Sequence, residues 1–314
     1  MHSLSVKDSE ENVKGQDIEV EFTGKNITPF GGLILFGKFF QALDIEKLVE
    51  EYLPLKKKRK GKYAIAVLFI ALLHLILTGI ERVSHSEVFK DDKTFKAISG
   101  IYEIASRSTY FRFLKSFHYP AIKLIQKIRD ILFYSMWDIT KGIKEVTLDF
   151  DLSVIPVFGK HQGAKIGYNP KRKGSPSYFP FFCFLFNLEC IHGKFRGGWT
   201  PKGSEMVKFI EESIDKVKVK IKDKAIKIKA RFDAGFYCKE VVECSDKDGF
   251  GFVVVADLTE PIKQKLDILT YEDIGGGYGV SHFFYQPQGW NKKYKFIVRR
   301  EEIKEVKTKQ LTLS

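Results

Sequence analysis

The chain has 314 residues, 44% of them hydrophobic and 29% charged, which excludes a disordered protein and leaves room for one large or two medium domains with a real core. Its formal net charge of +13 favours a polyanionic partner such as nucleic acid. The four cysteines (Cys183, Cys190, Cys238, Cys244) form no C-x-x-C pair, and no signal peptide precedes them, so they read as reduced thiols of a cytoplasmic protein. Cys190 and His192 have poor spacing for zinc.

Residues 1–25 are polar and acidic, with no apolar period, and read as a loose N-terminal arm. Residues 26–143 carry a helical pattern. Leu33, Leu35, Phe36, Phe39 and Phe40 predict one amphipathic helix, and Ile45, Leu48 and Val49 predict a second that stops before Pro54. The basic string Lys56 to Lys60 then leads into an apolar run over residues 63–80, broken only by His74, Thr78 and Gly79. Its length is marginal for a membrane span, no second span follows, and a buried helix at the centre of a helical domain is the preferred reading. After a polar stretch through Asp91, Asp92 and Lys93, Ser106 to Thr109 predict an N-terminal cap for a helix with Tyr110, Phe113, Leu114 and Phe117. Arg107 and Arg112 there give a faint helix-turn-helix signal. A longer helix follows Pro120.

At Glu145 the period changes from helical to alternating. Residues 179–188 and 191–199 predict a hairpin, residues 205–216 a helix, and residues 226–232 a strand with one basic face. Residues 240–247 predict a short helix, and the continuous apolar run 250–256 a buried strand. The succession strand, strand, strand, helix, strand, helix, strand over residues 144–257 is the layout of a ribonuclease-H-like fold. Residues 258–300, rich in Gly, Tyr and Phe, read as a β-rich insertion in which Gly275, Gly276 and Gly277 make a turn. Residues 301–314 read as a charged tail. The expected class is α+β: a ribonuclease-H-like core, an all-helical N-terminal domain and a β-rich insertion.

Two acidic strand ends carry the chemistry. In Leu148-Asp149-Phe150-Asp151 the period of two puts both aspartates on one face, about 7 Å apart along the strand. Asp233, in Arg231-Phe232-Asp233, ends a later hydrophobic strand. Carboxylates so placed suit hard Mg²⁺ or Mn²⁺ ions, which prefer oxygen ligands and can clamp both oxygens of a phosphodiester displacement. Between residues 152 and 188 there is no acidic residue. Lys160, Lys165, Lys171, Arg172 and Lys173 fall there with Tyr168, Asn169 and Tyr178, predicting a DNA-contacting loop with cations on phosphates and tyrosines stacked on bases. A solvated surface hairpin is the bland alternative.

These segments resemble the DDE transposases of bacterial insertion sequences, most closely the insertion-sequence family numbered thirteen-eighty. The resemblance rests on Leu148 to Asp151, Phe158-Gly159-Lys160, the run from Gly163 to Pro170, Pro176-Ser177-Tyr178, the run from Arg231 to Phe236, Val254 to Ala256, and Trp290 followed by Phe296 to Arg300. Phe30 to Leu33 and Ser108 to Leu114 extend it towards the N-terminus. It implies that Asp151 and Asp233 are the first two catalytic aspartates and metal ligands, with Asp149 assisting. It also implies Mg²⁺ or Mn²⁺ as cofactor, double-stranded DNA (terminal repeats and target) as partner, and a homo-oligomer on DNA, with no membrane. His161-Gln162 and Leu152 depart from the family pattern without removing a ligand. The family's third carboxylate, a glutamate on a helix after the insertion, has no counterpart in Glu301, Glu302 or Glu305, which lie too close to the last strand. The sequence therefore reads as a transposase truncated before that residue and inactive by itself; the alternative is a silent DNA-binding remnant or inhibitor.

Overall fold

A computed structural model describes residues 27–55, 62–136, 144–169, 172–219, 221, 226–247 and 249–301. The chain divides into two compact units, Met1–Trp137 and Asp138–Ser314.

The first unit is helical: α1 (Leu33–Ala42), α2 (Ile45–Tyr52), α3 (Ile65–Leu77), a 3-10 segment (Val83–Phe89), α4 (Lys93–Ile98), α5 (Arg107–Lys115) and α6 (Tyr119–Met136). α3 serves two apolar clusters at once. Its Leu68 and Leu75 pack with Phe89, Phe95, Ile98 and Tyr110, whereas its Ala66 packs with Ile45, Val49 and Ile128. A helix with neighbours on both sides has to be apolar nearly all round, which explains the run that resembles a membrane span. Its 13 residues reach only about 20 Å, against a hydrocarbon layer of about 30 Å. Among the described residues no helix is long and apolar enough to cross a membrane. His74, in the middle of α3, is buried, bonds through Nδ1 to the Ile70 carbonyl (3.0 Å), and has its pKa pushed down by burial, so it stays neutral.

The polar stretch at 91–93 conceals the start of α4. Asp92 Oδ1 accepts from the Phe95 N–H (2.7 Å), and Oδ2 accepts from the Thr28 hydroxyl (2.8 Å). At α5 the expected cap is present, with Ser106 accepting from the Thr109 N–H.

The second unit is built on β1 (Glu145–Leu152). Three short strands follow, β2 (Ile155–Pro156), β3 (Lys165–Ile166) and β4 (Pro176–Tyr178), then β5 (Phe181–Leu185) and β6 (Cys190–Lys194). α7 (Gly203–Lys218), β7 (Lys227–Phe232), α8 (Lys239–Lys247) and β8 (Gly251–Val254) complete the core. The main sheet has the order β6-β5-β1-β7-β8. β5 is antiparallel to β1 and to β6, while β7 is parallel to β1 and to β8. One sheet face buries Val146, Leu148 and Phe150 of β1, and α7 brings Phe209 onto it, 6.1 Å from the Phe150 ring and 5.3 Å from that of Phe181. Each such side chain removed from water contributes about 1.5–3 kcal/mol.

The apolar run at 250–256 is not a buried strand. β8 is the sheet edge, with Val253 58% and Val255 60% exposed. Composition alone could not distinguish a central strand from an edge whose outer face is left open.

Beyond the sheet come α9 (Glu260–Leu266), which the sequence pattern did not suggest, and the meander β9 (Glu272–Gly275), β10 (Tyr278–Tyr285) and β11 (Tyr294–Glu301). Gly276 and Gly277, at φ of 69° and 83°, form the tight turn between β9 and β10, a conformation that favours glycine at both positions. Glu301 ends β11, while Glu302 and Glu305 lie outside the described residues.

Candidate active site

Parallel pairing brings the carboxylates together. β1 and β7 run in register from Glu145 opposite Lys227 to Phe150 opposite Phe232. One step further, Asp151 stands beside Asp233 at the same sheet end, and the Asp233 N–H donates to the Phe150 carbonyl (3.4 Å). Asp151 Oδ2 accepts from the Ser153 hydroxyl (2.9 Å). Asp233 Oδ1 accepts from the Gly235 N–H (3.1 Å) at the start of a single 3-10 turn, Ala234–Phe236. A Cβ at Gly235 would lie 2.4 Å from Leu152 Cδ1 and 3.3 Å from Asp233 Oδ1, so the turn closes tightly around the carboxylate.

Burial first, and the Asp151 carboxylate second, push the Asp233 pKa up from 3.8 to about 6. Among the described residues no ion pair involves either aspartate. Two half-buried carboxylates in mutual repulsion are hard oxygen donors that a divalent cation would relieve, and Mg²⁺ is commonly held by one or two carboxylates plus water and phosphate. The residues fit such an ion. Among the described residues, no group of three or more His, Cys, Asp or Glu side chains converges as a metal site.

The linkage has a sign. The folded-state pKa of Asp233 lies above its unfolded value, so ionisation above about pH 6 costs the fold stability, and the cost disappears as pH falls towards 3.8. Asp233→Asn retains an acceptor for Gly235 and carries no charge. It is expected to raise metal-free stability at pH 7 by about 1 kcal/mol, after discounting a half-exposed group for solvent screening. The gain should vanish near pH 4; denaturant melts at both pH values check it, and a loss at pH 7 would reverse the reading.

Asp149 has a different environment. It is on the same face of β1 as Asp151, but Arg231 forks onto both of its oxygens across the parallel pair. Lys229 pairs similarly with Glu145 (2.7 Å). The alternation of acids on β1 and bases on β7 was visible in the sequence; only their register was missing.

The basic loop is a folded element. β2, β4 and β3 form a three-stranded sheet in that order, pressed against residues 196–199. A Cβ on Gly198 would sit 2.2 Å from Ser177 Oγ and 2.5 Å from the Lys165 carbonyl, so backbone meets backbone there. Lys160, Lys165, Arg172 and Lys173 are exposed, as is Tyr168, with its ring stacked on Phe179 (6.1 Å). Lys171 lies outside the described residues. Asn169 faces inward, 3% exposed, its Oδ1 accepting from the Arg172 N–H (3.0 Å). Tyr178 donates its hydroxyl to the Gln162 carbonyl (2.6 Å) and packs on Phe195 (4.6 Å). Those two side chains shape the loop, and the cations and Tyr168 remain on its surface.

Sequence reasoning missed Arg196. Its guanidinium is buried and donates to both oxygens of Glu205 at 3.1 Å; Nη1 reaches the Phe179 carbonyl (3.4 Å). It also lies over the rings of Phe181 (4.9 Å) and Trp199 (4.8 Å). His192, the weak zinc candidate, instead bonds through Nδ1 to Ser213 Oγ (2.9 Å).

The second unit is thus a mixed α+β fold with two carboxylates paired at the ends of adjacent parallel strands. The chain belongs to the family Transposase DDE domain group 1, whose model matches residues 10–311. No curated protein matches the sequence. Among solved structures, the chain is similar to the piggyBac transposase synaptic complex with hairpin DNA, at 12% identity and a TM-score of 0.40, covering 95% of this chain. This chain spans 63% of the length of that one. It is also similar to the Mos1 transposase paired-end complex with left transposon end, at 9% identity and a TM-score of 0.25, over 68% of this chain and 73% of that one. The Mos1 mariner paired end complex with Mn is matched at 11% identity and a TM-score of 0.25, over 74% and 78%.

Proposed function

We propose that this chain is a DNA transposase of the DDE type with a ribonuclease-H-like core, of the insertion-sequence family numbered thirteen-eighty, acting in the cytoplasm as a homo-oligomer on terminal repeats and target DNA. The observation that carries the reading is Asp151 beside Asp233 at the ends of adjacent parallel strands, in a chain of the DDE family. The reaction is attack of water on the transposon-end phosphodiester, followed by attack of the freed 3′-hydroxyl on target DNA.

Asp151 and Asp233 would hold Mg²⁺ or Mn²⁺. Such an ion, when bound, stabilises charge on the phosphodiester oxygens and lowers the pKa of the attacking water. The protein's own contribution is to fix two carboxylates on one rigid sheet end, with Ser153 and the Gly235 N–H orienting them. Asp149, neutralised by Arg231, assists as an orienter and not as a ligand. Lys160, Lys165, Arg172, Lys173 and Tyr168 are exposed for contact with DNA, Lys171 is a further phosphate contact by its place in the sequence, and Asn169 and Tyr178 keep the loop in shape. We further propose that Asp151 and Asp233 are two of the catalytic carboxylates, the ones that converge among the described residues.

Removing one carboxylate leaves too few charged oxygens for a strongly hydrated ion. Asp151→Ala and Asp233→Ala are each expected to weaken Mn²⁺ binding by roughly tenfold or more, about 1.4 kcal/mol. Titration calorimetry on the folded variants measures this directly. Unchanged affinity in both would move the metal site elsewhere and remove the main support for the reading.

A further inference from the structure

Among the described residues Phe158 is the most exposed phenylalanine, 72% open to solvent. A lone apolar side chain on a surface is ordinary when its backbone is unconstrained. Here the backbone is held on both sides of the ring. The Val157 N–H donates to the Pro176 carbonyl (3.2 Å), and His161 Nε2 donates to the Phe158 carbonyl (2.8 Å). Gly159, at φ of 82°, turns the chain immediately beyond. The Arg172 guanidinium lies over the ring, 5.1 Å from its centre. Arg172 is fixed in its turn: its N–H donates to Asn169 Oδ1 (3.0 Å), and its carbonyl accepts from the Ser175 N–H (3.2 Å). Among the described residues no carboxylate pairs with it. The pair stands off the end of the strand that carries Asp151. Past Leu152 the Ser153 N–H donates to the Pro180 carbonyl (3.3 Å), and β2 begins at Ile155, close before Phe158.

We infer that Phe158 and Arg172 form a seat for one unpaired nucleotide beside the phosphodiester that reacts, the ring stacking on its base and the guanidinium meeting its phosphate. The inference rests on the transposase reading and adds to it a positioning residue, Phe158, and a substrate feature, the unpaired base. An aromatic ring fixed in water with a cation on it presents a π-face and a positive charge side by side. A nucleotide presents their complements, a flat base and an anionic phosphate. A base inside an intact duplex is stacked on both sides and has no free face for the ring, whereas an unpaired base has one at little cost. Every base has a π-face, so the seat selects a structural state of the DNA and not a sequence.

The test uses the full chain and two short mixed-sequence duplexes of the same sequence, one fully paired and one with a single unpaired nucleotide, with binding followed by fluorescence anisotropy. Wild type should bind the second roughly fivefold or more tightly than the first. Phe158→Ala should remove that preference and leave the affinity for the paired duplex unchanged within about twofold, since stacking acts only on the free base. Phe158→Trp, with a larger ring, should retain the preference. Phe158→Leu keeps apolar bulk without a π-face and should behave as Phe158→Ala. The ring is exposed, so all three variants should melt with wild type. If wild type binds both duplexes equally, or if the preference survives in Phe158→Ala, the seat falls while the transposase reading stands. A preference kept in Phe158→Leu makes the contact an apolar wedge and overturns stacking. Wild type that binds neither duplex at any salt overturns the transposase reading as well.

Discussion

Glu205→Ala is expected to destabilise the sheet-bearing unit by about 3–5 kcal/mol, because it strands a buried guanidinium without its counter-charge. Arg196 has its side chain only 2% exposed and gives two hydrogen bonds to Glu205, so water cannot replace the lost carboxylate. The loss should spread. The Arg196 carbonyl accepts from the Phe179 N–H, and Gly197 bridges Tyr178, so the same few residues anchor the basic loop to the main sheet. Trp199, 4.8 Å from the guanidinium, provides a local fluorescence probe for denaturant melts. The double variant Arg196→Met, Glu205→Leu, which removes both charges and keeps the volume, should recover much of the stability. A loss below about 1 kcal/mol in the single variant would show that the pair is solvated and that the loop is anchored by backbone alone.

What could be read from the sequence, and what could not, divides by physical cause. β1 and β7 announced themselves because alternation is a local property: Val146, Leu148 and Phe150 on one side, Asp149 and Asp151 on the other. The amphipathic spacing of Met206, Ile210 and Ile214 did the same for α7. Pairing is not local. Nothing in the chain before folding says that Asp149, expected to assist at the site, meets Arg231 across the parallel pair. β2, β3 and β4 are two or three residues long, too short to show any period, so the segment predicted as a DNA-contacting loop gave no sign of its strands. Arg196, in Lys194-Phe195-Arg196-Gly197, carries no local signal that sets it apart from an ordinary hairpin cation. Its burial depends on Glu205, which arrives from the next helix.

Residues 1–314 are expected to bind DNA yet leave its phosphodiesters intact, even with Mn²⁺ present. Asp151 and Asp233 converge, Asp149 is neutralised by Arg231, and Glu301 closes β11 within reach of the Tyr278 hydroxyl (3.3 Å). On the proposed reading, the two carboxylates that converge among the described residues leave half of a two-ion clamp without a protein ligand. Losing one catalytic ligand costs several kcal/mol of transition-state stabilisation, roughly three or more powers of ten in rate. A helical segment carrying a glutamate, supplied by fusion from a relative in the same family, should restore nicking, and Asp151→Ala or Asp233→Ala should abolish it again by a similar factor. The measurement is single-turnover cleavage of a labelled duplex bearing the element's own ends, with DNA binding monitored in parallel. Efficient metal-dependent cleavage by the unsupplemented chain would mean that a third donor completes the site. Arg231→Ala then tests Asp149: if Asp149 is that donor, freeing it from its ion pair should raise the rate, and an unchanged rate assigns the role to another carboxylate.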